Sequence, residues 1–292
     1  MRTRNISKTA EGALMLSDEQ RIEHINNSVF ISYEKANEIL SEMEELLIHP
    51  KINRMPNILI VARSNNGKTE ILKEFLKRHP AEERRELDAI YAPVVYVQSP
   101  PGPTEHLFLD NLLRMLCVGV KQNDSSDKKL VQLLDILRKI GTKIILIDEL
   151  NALLAGSVTK QRFFLNMLKY ISNDLQISIV AAGTKEAMYA VATEKQIESR
   201  FPTRILPRWQ EDKDFQRLLK SFEYVLPLKY ESEIHKGEIS RKLYGLSDGV
   251  IGEVSKILKS AAKYAIENGV EKITMDVLAK CDRRGEQNSE LI

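Results

Sequence analysis

Residues 57–69 read Asn57-Ile58-Leu59-Ile60-Val61-Ala62-Arg63-Ser64-Asn65-Asn66-Gly67-Lys68-Thr69. An apolar run is followed by a polar turn carrying glycine, and then by a stretch with helical spacing. This is the order strand, phosphate-binding loop, helix, in the frame G-x-x-x-x-G-K-[ST]. Gly67, Lys68 and Thr69 fill its second half, and Ala62 stands where the first glycine is expected. In this frame the backbone N–H groups from Ser64 through Asn65, Asn66 and Gly67 to Lys68 cradle phosphates. The N-terminus of the helix that follows adds its partial positive charge. Lys68 would reach the β/γ-phosphates of ATP, and Thr69 would offer its hydroxyl to Mg²⁺. The alternative for this stretch alone is a polar turn with an incidental Gly-Lys-Thr.

A second signal lies downstream, in Lys143-Ile144-Ile145-Leu146-Ile147-Asp148-Glu149. A short continuous apolar run suits a strand buried on both faces of a parallel sheet. Asp148 at its carboxyl end would hold Mg²⁺, usually through water, and Glu149 would polarise an attacking water. The alternative is a strand that ends at an acidic surface turn.

The rest of the chain frames these segments. Its 292 residues are 43% hydrophobic and 29% charged, with a net charge of +2, which fits a globular, soluble chain of one large domain or two small ones. No apolar run approaches the ~20 residues a membrane span requires. Met1-Arg2-Thr3-Arg4-Asn5 lacks the apolar centre of a signal peptide, so a cytoplasmic location is expected. Cys117 and Cys281 alone suggest neither a metal cluster nor a disulfide frame. The near-neutral charge argues against a broadly basic nucleic-acid coat but leaves room for a local basic groove.

Helical spacing is expected over Tyr33–Ile48, Thr69–Arg78, His106–Val118, Leu130–Ile140 and Gln161–Asn173. Strands are expected over Met55–Val61, Pro93–Val97, 144–147 and Ile177–Ala182. Residues 98–104 are too rich in proline to continue a strand, and Asn123–Lys129 reads as a polar connection. From Asp212 onward only helical patterns remain: Asp212–Phe222, His235–Leu243, Gly252–Asn268 and Thr274–Lys280, with Thr274 as a helix cap. The expected organisation is an N-terminal arm over 1–30, an α/β core with a mainly parallel sheet over 31–205, a small helical lid domain over 206–282, and a polar tail over 283–292.

Thr184 should end the strand beside 144–147. Its hydroxyl could bond the attacking water or the γ-phosphate, or it could be a simple turn threonine. Arg200, in Gln196-Ile197-Glu198-Ser199-Arg200-Phe201-Pro202, should lie far from its own phosphate loop. It could reach a neighbouring subunit's nucleotide, where a guanidinium forks onto phosphate oxygens, or be an ordinary surface arginine. Candidates for DNA phosphates are the 98–106 loop and Lys121, Lys128 and Lys129, each of which could equally be a solvated surface lysine. Trp209, the sole tryptophan, reads as a packing anchor of the core–lid junction rather than a base-stacking group.

Taken together, these segments resemble an AAA+ P-loop NTPase. The likeness sharpens over Arg54-Met55-Pro56-Asn57, Asn65-Asn66-Gly67-Lys68-Thr69, Asp148 to Gly156, Ala182 to Ala187, Ser199-Arg200-Phe201 and Leu206-Pro207-Arg208-Trp209. In that order they resemble the TniB/TnsC family of transposition ATPases of Tn7-like and CRISPR-associated elements, over roughly residues 30–280. The resemblance implies an ATP- and Mg²⁺-dependent homo-oligomer, a ring or helical filament, on double-stranded DNA. It would join a transposase to a target-selection factor, such as a CRISPR effector or a TniQ/TnsD-like protein, and be reset by slow ATP hydrolysis. It makes Arg200 a trans arginine finger, adds Glu70 to the nucleotide-binding set, and places lid packing at Ile251 and Gly252 beside the nucleotide. The chain departs from the family pattern at Ala62 and at Asn151, where histidine is frequent, and no arginine stands at the lid position of Ile251-Gly252. Alternatives are a replication-initiator or helicase-loader-like ATPase, and a nucleotide-gated DNA-binding scaffold with little hydrolysis.

Overall fold

The computed structural model describes residues 6–27, 30–84, 89–102, 104–121 and 123–281. The expected tail over 283–292, the first five residues of the expected arm, and Pro103 of the proline-rich loop lie outside them. Contacts divide the chain into two units. One is Lys35–Pro207; the other joins Met1–Glu34 to Arg208–Ile292.

The first unit is built on a five-stranded parallel sheet. Its strands are β1 (Ile58–Val61), β4 (Val94–Gln98), β5 (Ile144–Asp148), β6 (Ser178–Gly183) and β7 (Thr203–Ile205), in the spatial order β4-β5-β6-β1-β7. All residues of β1, β5 and β6 are buried, which is why they read as continuous apolar runs rather than as alternating ones. The register sets Val61 beside Gly183 and Ile147 beside Ala181, so the carboxyl ends of β5, β6 and β1 form one row. Ligands bind at such ends in open α/β sheets.

Helices α3 (Glu34–Ile48), α4 (Lys68–Arg78), α5 (Glu105–Met115), α6 (Ser126–Lys139) and α8 (Val158–Leu175) belong to the same unit. Phe75 of α4 is fully buried, and Phe108 of α5 meets Phe164 of α8 edge-to-face with ring centroids 5.1 Å apart. Each fully buried phenylalanine contributes about 1.5–3 kcal/mol through removal from water. Short helices α7 (Leu150–Leu153), α9 (Lys185–Ala192) and α10 (Lys195–Glu198) follow the strand ends, and β2 (Glu82–Arg84) pairs antiparallel with β3 (Ala89–Tyr91). The expected polar connection over Asn123–Lys129 is shorter than its composition suggests. Ser125 accepts from the Lys128 N–H and starts α6 at Ser126.

The second unit is helical: α1 (Lys8–Ala13), α2 (Asp18–Asn26), α11 (Lys213–Val225), α12 (Gly237–Ser247), α13 (Ile251–Glu267) and a helical segment over 275–281. Val277 N–H donates to the Thr274 hydroxyl at 3.3 Å, the capping bond expected there. Asp212 likewise caps α11 through the N–H groups of Asp214 and Phe215. Its apolar cluster includes Phe215, Leu219, Leu243, Val254 and Leu258, and Ile25 of α2 joins it.

The expected arm over 1–30 is, across its described residues, largely structured. Helix α2 begins with a reciprocal capping box between Ser17 and Gln20. Arg21 is buried and clamps the Glu271 carboxylate through two N–H groups, at 2.8 and 2.5 Å. It also donates to the Pro227 carbonyl oxygen. Trp209 meets Tyr33 edge-to-face within this unit, with centroids 5.2 Å apart. Among the described residues no helix is long and apolar enough to cross a membrane.

Candidate nucleotide site

The loop leaves β1 at Val61. Ala62 N–H donates to the Gly183 carbonyl oxygen at 3.2 Å, which ties the loop's first residue to β6. The left-handed positions of the loop are Asn65, at φ 60°, and Gly67, at φ 85°. Asparagine and glycine tolerate this region; most residues do not. Ala62 is outside the left-handed region, so the missing first glycine carries no backbone penalty. Asn66 is buried and donates from Nδ2 to the carbonyl oxygens of Leu206 and Pro207. Gly67 caps α4 without a side-chain bond. The first N–H groups of a helix lack intrahelical partners, and no side chain caps those of α4.

Lys68 is only 4% exposed, and its Nζ donates to the carbonyl oxygens of Ala62 (3.2 Å) and Arg63 (2.9 Å). Burial holds its pKa below the ordinary lysine value, and the charges of Glu149 and Asp148 oppose that shift. An ammonium bound only to neutral carbonyls in a buried setting gains from a phosphate anion.

Asp148 is the hub. It is 2% exposed and accepts from Thr69 Oγ1 at 2.7 Å and Tyr96 OH at 3.1 Å, both at Oδ2, and from the Glu149 N–H at Oδ1, 2.9 Å. Thr69 and Asp148, expected to share one role, are thus in contact. Tyr96 was not expected. It arrives through the parallel register that sets it beside Leu146 on β5, and only its place in a strand was legible. Burial raises the Tyr96 phenol pKa, with the Asp148 charge adding to it, so the group stays a protonated donor.

Glu149 adopts φ 54°, ψ 43°, in the left-handed region. For glutamate this strain is of order 1–3 kcal/mol, and such strain clusters at functional sites. Asn151 Nδ2 donates to Glu149 Oε2 at 3.2 Å, a contact that sequence spacing did not suggest. Thr184 follows β6, between the ends of β1 and β5, and its hydroxyl donates to the Glu186 carboxylate. Gly183 next to it admits no larger residue: a Cβ there would come within 2.7 Å of Ala187 Cβ. Glu70 lies in the first turn of α4.

Arg200 is at the other end of β1. Its carbonyl oxygen accepts from Asn57 N–H at 3.2 Å, just before the strand begins. Its guanidinium donates to Asn173 Oδ1 at 2.6 Å. Burial, then the charge of Arg54, holds it below the ordinary arginine range.

The remaining expected positions are on other elements. Ile251 and Gly252 open α13 in the helical unit. Lys121 is exposed, and exposed Lys128 pairs with Asp124 at 2.7 Å. Lys129 corrects the expectation of a DNA contact: it is fully buried, with Nζ 2.6 Å from Asp110 Oδ1 and 2.8 Å from His106 Nε2. It starts the buried side of α6 and neutralises a carboxylate of α5.

The parallel sheet, with the Thr184 strand between the loop strand and the Asp148 strand, has counterparts among solved structures. The Aeropyrum pernix ORC2 protein, solved as ADPNP-ADP complexes, superposes with a TM-score of 0.61 at 16% identity, covering 89% of this chain and 70% of that one. The Aeropyrum pernix ORC1 protein in complex with DNA gives 0.64 at 14% identity, covering 92% and 70%. Domain III of the Thermotoga maritima replication initiation protein DnaA gives 0.53 at 16%, covering 89% and 94%. The fold is that of an AAA+ P-loop NTPase. Among curated proteins none matches the chain. The model of the bacterial TniB protein family matches residues 21–211, and the chain belongs to that family.

Proposed function

We propose that this protein is an ATP-dependent regulator of DNA transposition that assembles on duplex DNA and links target selection to a transposase. One observation carries the nucleotide half of this reading: buried Lys68 and the Thr69–Asp148 pair meet at the carboxyl ends of β1 and β5, the strands on either side of β6. The donor set suits Mg²⁺, a hard cation that takes hydroxyl and carboxylate oxygens. Thr69 and Asp148 would hold it, Asp148 usually through water. When bound, the metal neutralises charge on the β- and γ-phosphate oxygens.

The chain's own groups do the rest. The loop from Ser64 to Lys68 receives the phosphates, with Glu70 and the start of α13 at Ile251-Gly252 assigned to the nucleotide's surroundings. Lys68 exchanges two carbonyl partners for phosphate oxygens. Tyr96 keeps Asp148 oriented. Glu149 accepts a proton from the attacking water, and Asn151 holds Glu149 until substrate arrives. Thr184 positions the water or the γ-phosphate. Arg200 acts on the nucleotide of a neighbouring protomer. Lys121 and Lys128 touch DNA backbone without reading sequence. Turnover is slow and rises with DNA or partners.

Family membership over residues 21–211 supports the transposition setting, and ORC1 in complex with DNA supports DNA binding by this architecture. The test is Glu149→Gln. ATP binding should persist, turnover should fall by roughly 10²–10⁴-fold, and assemblies should accumulate on DNA. Parent-like turnover would remove Glu149 from the role of base. The likeness to ORC2 and DnaA favours a second reading, a replication-initiator or helicase-loader-like ATPase. Binding to a transposase or to a replicative helicase, in ATP and duplex DNA, separates the two.

A further inference from the structure

Beside Arg200 lies a cleft of about 380 Å³ lined by Arg54, Lys195, Gln196, Ser199 and Arg200. Three of the five lining residues are cations and none is a carboxylate. The hydrogen-bond partners of its two arginines among the described residues are neutral. Arg54 Nη2 donates to Ser199 Oγ at 2.5 Å, and Arg200 Nη1 donates to Asn173 Oδ1 at 2.6 Å. Three other arginines of this unit meet acids instead: Arg138 pairs with Asp174, Arg162 with Glu194 and Arg204 with Glu42. The cleft is thus a local excess of positive charge. Each guanidinium carries five donors in a fixed fork, which leaves several free for an incoming anion.

The position of the cleft excludes its own phosphate loop. Arg54 precedes β1 and Arg200 is bonded to Asn57, while the loop starts after Val61. A strand rises about 3.3 Å per residue, so Asn57 and Ala62 are separated by roughly 16 Å. The anion must come from elsewhere. A single cluster of forked donors fits a terminal phosphate better than a duplex, which a protein follows with a stripe of basic residues.

We propose that Arg54 and Arg200 together form an anion cleft that receives the terminal phosphate of ATP held by a second copy of this chain, Arg54 contacting that phosphate in its own right. This rests on the shared-site reading of Arg200 given above. Arg54 supplies a second guanidinium, and Ser199 and Asn173 hold the two apart while the cleft is empty. When phosphate enters, it bridges two cations that otherwise repel each other.

The experiment measures labelled-ATP binding by dilute protein, and DNA-stimulated ATP turnover, for the parent, Arg54→Ala, Arg54→Lys and Arg200→Ala. Arg54→Ala should bind ATP within twofold of the parent and turn over at least ~10-fold more slowly, a smaller loss than the ~10³-fold or more typical of an arginine finger. Arg54→Lys should fall between, keeping charge but not the fork. An equimolar mixture of Arg54→Ala with Glu149→Gln should recover roughly a quarter of parent turnover, because a quarter of randomly formed head-to-tail contacts pair an intact loop with intact arginines. Recovery also shows that Arg54→Ala is folded. Parent-like turnover by Arg54→Ala beside an inactive Arg200→Ala overturns the role of Arg54 and spares the shared site. Parent-like turnover by both overturns both. Lost ATP affinity in the dilute Arg54→Ala chain, lost DNA affinity without nucleotide, or no recovery in the mixture each overturns the proposal.

Discussion

Replacing Arg21 by alanine should loosen the helical unit by about 3 kcal/mol, and the structure supplies the magnitude. Burial alone would raise the Glu271 pKa. The hydrogen bonds from Arg21 and Lys229, with their charges, outweigh it and hold the carboxyl at about 2, against an ordinary 4.5. At about 1.4 kcal/mol per unit, that displacement is worth about 3 kcal/mol of folding free energy. An independent route agrees: removing one partner of a buried pair costs about 3–5 kcal/mol. Lys229, 2.7 Å from Glu271 Oε1, keeps the loss toward the lower end. The sign is that of a depressed carboxyl. The contribution is complete above about pH 4.5 and fades as pH falls toward 2. Trp209 is the only tryptophan and packs on Tyr33 inside this unit, so its emission during urea unfolding reports on the right structure. The parent should lose stability between pH 4.5 and 2, and Arg21→Ala should be weaker at neutral pH and lack most of that slope. A neutral-pH difference below about 1 kcal/mol, the scale of an ordinary surface pair, would refute the reasoning.

Two further outcomes follow from single contacts. Tyr96→Phe removes the phenol that donates to Asp148 at 3.1 Å. The Mg²⁺ concentration giving half-maximal turnover should rise about tenfold, the usual cost of losing a residue that orients a metal ligand, and an unchanged Mg²⁺ titration would show that Tyr96 does not orient Asp148. Gly249→Ala places a side chain at φ +67° and against the Trp209 carbonyl oxygen. It should destabilise the helical unit by more than about 1 kcal/mol, read by the same tryptophan emission; parent-like unfolding would contradict the tightness of that turn.

The parts of the fold visible in the sequence were those with one dominant cause. Strands β1, β5 and β6 are buried on both faces, so their apolar runs stand out; β7, with Arg204 bonded to Glu42 on a sheet edge, carries no such run. Helix α2 was hidden because it is mostly polar, and its anchors are only buried Arg21 and the short apolar pair Ile22 and Ile25. The Ser17-Asp18-Glu19-Gln20 capping box was the signal that could have shown where it starts. In the candidate site, Lys68 and Thr69 follow from the strand-loop-helix frame, and Asp148 was legible as the carboxylate that ends a buried strand, where parallel sheets gather their ligand groups. Tyr96 and the pairing of Asn66 with Leu206 and Pro207 depend on strand register and on chain returns over 140 residues, which no local pattern encodes. Lys129 misled for the opposite reason: lysine at a helix start is usually solvated, and here Asp110 and His106 enclose it.

Strand β1 has unlike ends, the glycine-bearing loop after Val61 and an arginine cleft before Ile58. In an assembly built on contacts between the two, each protomer is a directed brick, and the contact is heterologous rather than related by a two-fold axis. Any open assembly then has two chemically different tips. One displays loaded nucleotide with no guanidinium to meet it, and the other displays guanidiniums with no nucleotide. If hydrolysis requires both halves, as proposed above, the nucleotide at the first tip would be spared while every interior nucleotide would be at risk. Such an assembly would age from within and gain or lose protomers at different rates at its two tips.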